Sequence, residues 1–546
     1  MCAGSALELS TMLSPSRRRF LRRAAAVGLT VSADIFRSRL TWGIQAQSPA
    51  RIYVDSRRTI GPLQRTVFGS FIEHLGRAIY DGIFEPGSPL ADAQGFRTDV
   101  LSTVRRLGVP LIRGPGGSFL SQYDWLDGVG PVQQRPRVLD EAWNSIETNR
   151  FGTDEFMAWC RAAGAEALMT VDLGSGTPEK AAALVEYCNF PGGTRWSDLR
   201  RRNGHSKPYG VRYWGLGNEL DGPWEIGHMS ANQYGWKAAD AARRMRAVDP
   251  SVFLTACGSS STELPTYLEW DRQVLDHCYD DVDAISIHGY FGAAPGQAAQ
   301  RSERHVALNL EMERQIRDTI DVCDYVRARK HSSKTLWISY DEWNVLYGNL
   351  VNNGERQVAP HLREEIYNLE DALLFGGLLN TLMRHADRVR IGCLSQLVNV
   401  HAPIMTDHKG LFLQTTYYPY RWALELARGS VLDLLVEAPT YELSDAKAVP
   451  YIDAAATVSR DTGETALFIL NRDLSAARSI EIVWEAGAPG PVKVAQVLTG
   501  DDLKARNDFD APRRVQPAPL PRPATRGSRT RLELPPRSYT AIQWGA

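Results

Sequence analysis

No stretch of this 546-residue chain is apolar for anything near the roughly 18 residues that a membrane-crossing helix needs. Charge of one sign is not in excess either: 62 Lys and Arg face 63 Asp and Glu, leaving a formal charge of -1. Nucleic-acid binders carry a basic domain or stripe, so neither nucleic acid nor a membrane is expected as a partner. An uncharged partner is. Cysteine is scarce, seven in all and without a CxxC pair, which argues against a zinc cluster. Cys160, Cys188, Cys257, Cys278, Cys323 and Cys393 read as buried free thiols. HExxH, GxSxG and the phosphate loop GxxxxGK followed by Ser or Thr are all missing, and with them go the chemistries those motifs carry. The Gly-rich pieces Gly114 to Gly117 and Gly174 to Gly176 complete no dinucleotide fingerprint and read as tight turns between strand and helix.

What is present is a chain with 43% hydrophobic residues, enough for a sizeable core and too long for one ordinary domain. Ser16-Arg17-Arg18-Arg19-Phe20-Leu21-Arg22 precedes a weakly apolar stretch and has the order of a twin-arginine export signal. Residues 1–46 are therefore set aside as a signal, and a periplasmic or secreted protein is expected.

Eight short runs rich in β-branched or aromatic residues follow: Thr66 to Ile72, Val109 to Arg113, Ala167 to Leu173, Val211 to Leu216, Val252 to Ala256, Ala284 to Ile287, Thr335 to Tyr340 and Val389 to Leu397. Helix-like amphipathic stretches separate them, among them Thr98 to Leu107, Asp154 to Ala163, Pro178 to Tyr187, Ala231 to Ala247 and Leu369 to Arg384. Eight alternations of strand and helix predict an α/β fold, a (β/α)8 TIM barrel over 65–437, with catalytic groups at the C-terminal strand ends. After about Ala438 the pattern changes to strand alternation broken by turn residues, which predicts an all-β, jelly-roll-like sandwich over 438–546. Residues 47–64 are expected to add a strand to it.

Two acidic positions stand out. The fourth strand runs into Gly217-Asn218-Glu219 and the seventh into Asp341-Glu342-Trp343-Asn344, so each places a Glu at the rim. A single such Glu is usually a solvated loop residue. A pair on facing strands, about 5 to 5.5 Å apart, is what a retaining glycosidase uses.

Phe68-Gly69-Ser70-Phe71-Ile72-Glu73-His74, Arg113-x-Pro115-Gly116-Gly117, Gly217-Asn218-Glu219-x-Asp221-Gly222-Pro223-Trp224, Asp341-Glu342-Trp343-Asn344, Tyr367-Asn368-Leu369-Glu370-Asp371-Ala372 and Gln396-Leu397-Val398-Asn399-Val400 follow one another in order. Through these motifs the sequence resembles glycoside hydrolase family 51, the α-L-arabinofuranosidases, from about Arg51 to the last strand. The resemblance implies a retaining exo-acting enzyme that releases terminal α-L-arabinofuranose from arabinan- or arabinoxylan-type polysaccharides or oligosaccharides, needs no metal or other cofactor, and leaves room for a homo-oligomer.

By the same resemblance Glu219 is the general acid/base and Glu342 the nucleophile. Arg113 orients the nucleophile, the alternative being a rim salt bridge. Asn218 holds the sugar 2-hydroxyl. Glu73, Tyr290 and Gln396 surround the terminal sugar, and Glu73 has Arg77 as its alternative partner. His288 and Tyr290 end the sixth strand, the Tyr donating to the nucleophile and the His reading equally well as a satisfied rim residue. Of the tryptophans, Trp224 and Trp343 are the expected sugar platforms, ahead of Trp125 and Trp143. One departure matters: the family places an aromatic and an Asn where this chain has Gly114 and Ser118, so Ser118 is expected in a widened glycone pocket. Another glycone with the same mechanism, such as β-D-galactofuranose, D-arabinofuranose or a glucan, stays open as an alternative, as does a catalytically silent carbohydrate-binding protein.

Overall fold

The computed structural model describes residues 50–292, 302–348, 355–444 and 446–546. The signal expected in residues 1–46 lies outside the described residues. Among the described residues no helix is long and apolar enough to cross a membrane.

Eight parallel strands close into a barrel: β1 (Gly69–Phe71), β2 (Leu111–Gly114), β3 (Glu166–Val171), β4 (Tyr213–Leu216), β5 (Phe253–Cys257), β6 (Ala284–Phe291), β7 (Trp337–Val345) and β8 (Val389–Ser395). Each is followed by a helix: α1 (Thr98–Leu107), α2 (Thr153–Ala163), α3 (Pro178–Asn189), α4 (Ala231–Val248), α5 (Glu269–Cys278), α6 (Asn309–Lys330), α7 (Leu369–Arg384) and α8 (Tyr417–Leu426). The barrel interior is plugged by Phe71, Leu111, Leu168, Tyr213, Phe253, Ala284, Ile391 and Cys393. It is a packed core, and chemistry is left to the rim.

Local sequence explains the helix starts. Thr177 Oγ1 accepts from Lys180 N ahead of Pro178, and Ser230 Oγ accepts from Gln233 N. Both satisfy first-turn donors that have no partner inside the helix. β6 and β7 run further than the apolar runs suggest, and both carry register shifts, near Ser286/His288 and between Tyr340 and Trp343. An extra residue in a strand re-aims the side chains after it. As a result His288, Tyr290, Asp341 and Glu342 belong to strand ends rather than to loops.

The second layer is a sandwich. Its five-stranded sheet contains Ala50–Val54 in parallel register with Arg478–Trp484, and its seven-stranded sheet contains Thr59–Pro62 beside Ser430–Leu432. Ser430–Leu432 and Leu435–Glu437 fall inside the range expected for the barrel, yet they pair with sandwich strands. They are three residues each, too short to display alternation in sequence. α7 packs on Ile452–Val458, where Asp453 accepts from Asn380 Nδ2, Arg384 Nη1 and Arg472 Nη2. Burial opposes that charge, but the two guanidiniums hold the carboxyl well below the usual range. Gly376 makes the approach possible, since a Cβ there would stand 2.5 Å from the Tyr539 ring.

Candidate active site

β4 delivers Glu219 through a backbone that needs glycine at Gly217 (φ 90°) and tolerates an uncommon left-handed conformation at Glu219 itself (φ 43°). β7 delivers Glu342 from the facing side. A carboxylate oxygen of Glu219, one of Glu342 and a ring nitrogen of His288 all lie within 4.8 Å of one another. That spacing alone would admit a metal ion. However, His288 faces carboxylates with both nitrogens, Nδ1 at 2.7 Å from Glu219 Oε1 and Nε2 at 3.3 Å from Asp341 Oδ1. Carboxylates only accept, so the ring offers protons and no lone pair. A second group, His305 with Glu370 and Asp371, is taken up by Tyr347, Ser302, Lys504 and the backbone N–H of Asn368 at the start of α7.

The two central carboxyls have different surroundings. Glu342 Oε2 accepts from Arg113 Nη1 at 2.6 Å, and its other oxygen accepts from the Tyr290 hydroxyl. Burial alone would raise this carboxyl, but His288 and Arg113 with Tyr290 outweigh it and hold it below its ordinary value. Asp341, buried behind it, is held low by Arg113 and His288 in the same way. Burial also works against the charge of His288, yet Glu342, Asp341 and Glu219 together push it up to about 10. Glu219 accepts from the Trp224 indole N–H at 2.7 Å through its second oxygen.

Glu73 sits on the pocket floor. Its Oε1 accepts from Phe119 N and Trp143 Nε1, each at 3.0 Å, and its Oε2 faces Gln396 Nε2 at 3.3 Å. Burial first, and then repulsion by Glu342, push its carboxyl up to about 8. Arg77 is not its partner; that guanidinium pairs with Glu364. Gly117 lets the wall come close, because a Cβ there would lie 3.3 Å from Glu73 Oε2 and 3.4 Å from Glu342 Oε2.

Glu73, Ser118, Glu219, Trp224, Tyr290, Glu342 and Gln396 thus line one cavity of about 90 Å³. Arg113, Asn218 and His288 stand directly behind them. A second, larger hollow of about 790 Å³ shares Glu219, Trp224, Tyr290 and Arg363 with it.

Trp343 does not belong to this surface. It is 0% exposed and packs on Phe375 of α7 at a ring separation of 5.0 Å, because neighbours on a strand point to opposite faces and Glu342 takes the inner one. Trp125 is likewise packing, against Tyr187 and Trp196. Trp143 lines the cavity instead, with Arg363 over its ring at 5.2 Å, and so does His401. His401 bonds the Ser395 carbonyl through Nδ1 at 2.6 Å, and burial lowers it to about 4; it is a neutral ring. Glu225, in the wall behind Ser118, is also new. These residues come from loops far apart in sequence, and no local motif marks them.

The pocket is not widened at Gly114. A Cβ at that position would meet the Phe156 ring at 2.7 Å, so the space that an aromatic would need is filled from α2.

Known proteins resemble this chain along most of its length. Residues 103–293 match the family model for the α-L-arabinofuranosidase 1 domain, and residues 341–538 match that for the α-L-arabinofuranosidase C-terminal domain. An intracellular exo-α-(1→5)-L-arabinofuranosidase of Halalkalibacterium halodurans is 46% identical, over 84% of this chain and 92% of its own. A protein of the same description from Bacillus subtilis is 48% identical over the same shares. Among solved structures, a family 51 α-L-arabinofuranosidase from Bifidobacterium longum superposes with a TM-score of 0.87 at 36% identity, covering 91% of this chain and all of that one.

The expectation of export is overturned by these relatives, both of which are named intracellular. A twin-arginine sequence is an address read by a receptor and leaves no mark on the folded part.

Proposed function

The chain belongs to the α-L-arabinofuranosidases of glycoside hydrolase family 51, and from that membership and the site geometry we propose that it releases terminal α-L-arabinofuranosyl units inside the cell by a double displacement. The observation that carries this reading is the pair Glu219 and Glu342, with carboxyl oxygens within 4.8 Å of each other. That is the close spacing of a retaining site and leaves no room for the water that an inverting enzyme places between its carboxyls. The names of the curated relatives support an α-(1→5) linkage.

Glu342, ionised and aimed by Arg113 and Tyr290, attacks the anomeric carbon. Glu219 gives its proton to the departing glycosidic oxygen. The Glu342 charge disappears in the glycosyl ester, and the Glu219 carboxylate then takes a proton from the water that cleaves it. One carboxyl serves both steps. Asn218 is placed to hold the 2-hydroxyl, a contact that strengthens as positive charge builds on the ring. Glu73 and Gln396 bind hydroxyls of the furanose, and Glu73 near neutral pH brings a proton to donate. Trp224 offers its face at the exit, where it is 53% exposed.

The two hollows support exo action. The small one holds the nucleophile and takes the terminal sugar; the large one begins at the acid and takes the chain that leaves. Family membership extends the proposal to a homo-oligomer, which light scattering of the purified enzyme reports directly. Activity on a panel of nitrophenyl furanosides and pyranosides, with the anomer of the first-formed product read by NMR, tests the rest. Cleavage of the α-L-arabinofuranoside with retention is expected; inversion, or preference for a pyranoside, would reject the assignment.

A further inference from the structure

The mechanism above does not use the buried carboxyl of Glu225. Glu225 is 4% exposed, and among the described residues no cation pairs with it. Its Oε1 accepts from Ser121 Oγ at 2.5 Å and Asn218 Nδ2 at 3.4 Å, and its Oε2 accepts from Ser118 Oγ at 2.8 Å. Burying a carboxyl against neutral donors alone is costly, so the arrangement calls for a use.

Donor and acceptor bookkeeping supplies one. Asn218 lies between Arg113, whose Nη2 donates to its Oδ1 at 2.6 Å, and Glu225. A guanidinium only donates and a carboxylate only accepts, so the amide has a single orientation. Ser118 has one hydroxyl proton, and Glu225 takes it. What Ser118 then turns toward the cavity it lines is a lone pair.

Building on the functional reading above, we infer that Glu225 is a positioning residue for the terminal-sugar pocket: it locks the Asn218 amide and makes Ser118 a hydrogen-bond acceptor toward a sugar hydroxyl. The elements packed against it are the turn of residues 118–122, which presents two serine hydroxyls, the end of β4, which presents Asn218 and Glu219, and β2, whose Arg113 stands behind the amide. Burial, and then Glu219, push Glu225 up to about 7. The acceptor state of Ser118 is therefore held above that pH and relaxed below it.

The test is steady-state kinetics on nitrophenyl α-L-arabinofuranoside between pH 5 and 9 for wild type, Glu225→Gln and Ser118→Ala. In Glu225→Gln the amide nitrogen can donate to Ser118 and turn its proton into the pocket. KM is expected to rise roughly five- to tenfold, the effect of losing about one hydrogen bond, with kcat changed less. Both variants should lose the wild-type inflection of KM near pH 7 and keep the one that Glu73 gives near 8, and combining them should cost less than the product of the single effects. A purely structural role would lower Tm while leaving KM and its pH profile alone, and that outcome overturns the inference. So does multiplicative behaviour of the two substitutions. If Glu225→Gln does not fold, Ser118→Ala with an unchanged KM overturns it equally. An inactive wild type would sink the functional reading and this one together; an active wild type with indifferent variants would sink this one alone.

Discussion

His288 Nδ1 stands 2.7 Å from Glu219 Oε1, so the residue assigned as acid/base is held by a ring whose other nitrogen faces Asp341. With Arg113, this ring supplies the positive charge that lets Asp341 and Glu342 stay ionised in a buried rim. The ring bridges two carboxylates of the rim.

A charged ring at this place makes stability depend on pH. The ordinary value is 6.5 and the folded value about 10, so the folded state holds the proton more tightly. The stabilisation is complete below about pH 6.5 and is lost as pH rises toward 10. His288→Asn should remove that dependence: the difference in Tm between wild type and variant should shrink steadily across this window. Its kcat should fall about a hundredfold, the usual loss when a preorganised donor at developing charge is removed. A difference in Tm that does not vary with pH would show that the ring is not charged in the folded enzyme.

Glu73 carries the same sign of linkage in a lower pH window. Its folded value of about 8 lies above the ordinary 4.5, so as pH rises from 4.5 to 8 the unfolded chain gives up a proton that the folded one keeps, and stability falls. Glu73→Gln retains the hydrogen bonds with Trp143 and Phe119 without the ionisable proton. Relative to wild type it should become more stable across that interval in denaturant titrations, while kcat/KM stays within about tenfold.

The roles of the central pair separate cleanly in variants. Glu342→Gly should abolish hydrolysis, and azide entering the vacated face should restore cleavage with the opposite anomer as product. Glu219→Ala should lose roughly 10²- to 10⁴-fold on natural linkages and much less on nitrophenyl glycosides, because nitrophenolate leaves without a proton. Equal losses of both variants on every substrate would contradict the assignment.

Much of the site was legible because it sits on strands. Apolar runs place eight barrel strands, and a Glu at the end of the fourth and of the seventh can only meet across the rim. Strand alternation even carried the correction for Trp343, since Glu342 and its neighbour cannot both face the mouth. Glu225 was hidden for a different reason. One position beyond Trp224, it reads as one more loop carboxylate, and only the fold brings Ser118 and Ser121, more than a hundred residues away, against it. His401, Arg363 and Trp143 reach the pocket from loops whose paths obey no periodicity.

Position 118 is where the glycone preference is open to change, and position 114 is not. Tyr at 114 would drive its Cβ into the Phe156 ring, 2.7 Å away, and such overpacking costs about 1 to 3 kcal/mol of stability. Gly114→Tyr should therefore lower Tm and leave the choice between substrates alone. Ser118 touches the pocket directly, and its hydroxyl lacks the two donors of an amide. Ser118→Asn supplies those donors and adds bulk to the wall. α-L-Arabinofuranose and β-D-galactofuranose share ring configuration from C1 to C4 and differ by the latter's hydroxymethyl group, so a fuller wall should disfavour the larger sugar. The ratio of kcat/KM for nitrophenyl α-L-arabinofuranoside over nitrophenyl β-D-galactofuranoside is expected to rise in Ser118→Asn by about 1 kcal/mol, the low end of what one group in a pocket contributes to discrimination. A ratio that moves with Gly114→Tyr and not with Ser118→Asn would mean that the wall selecting the sugar is built from β2 itself rather than from the turn that follows it.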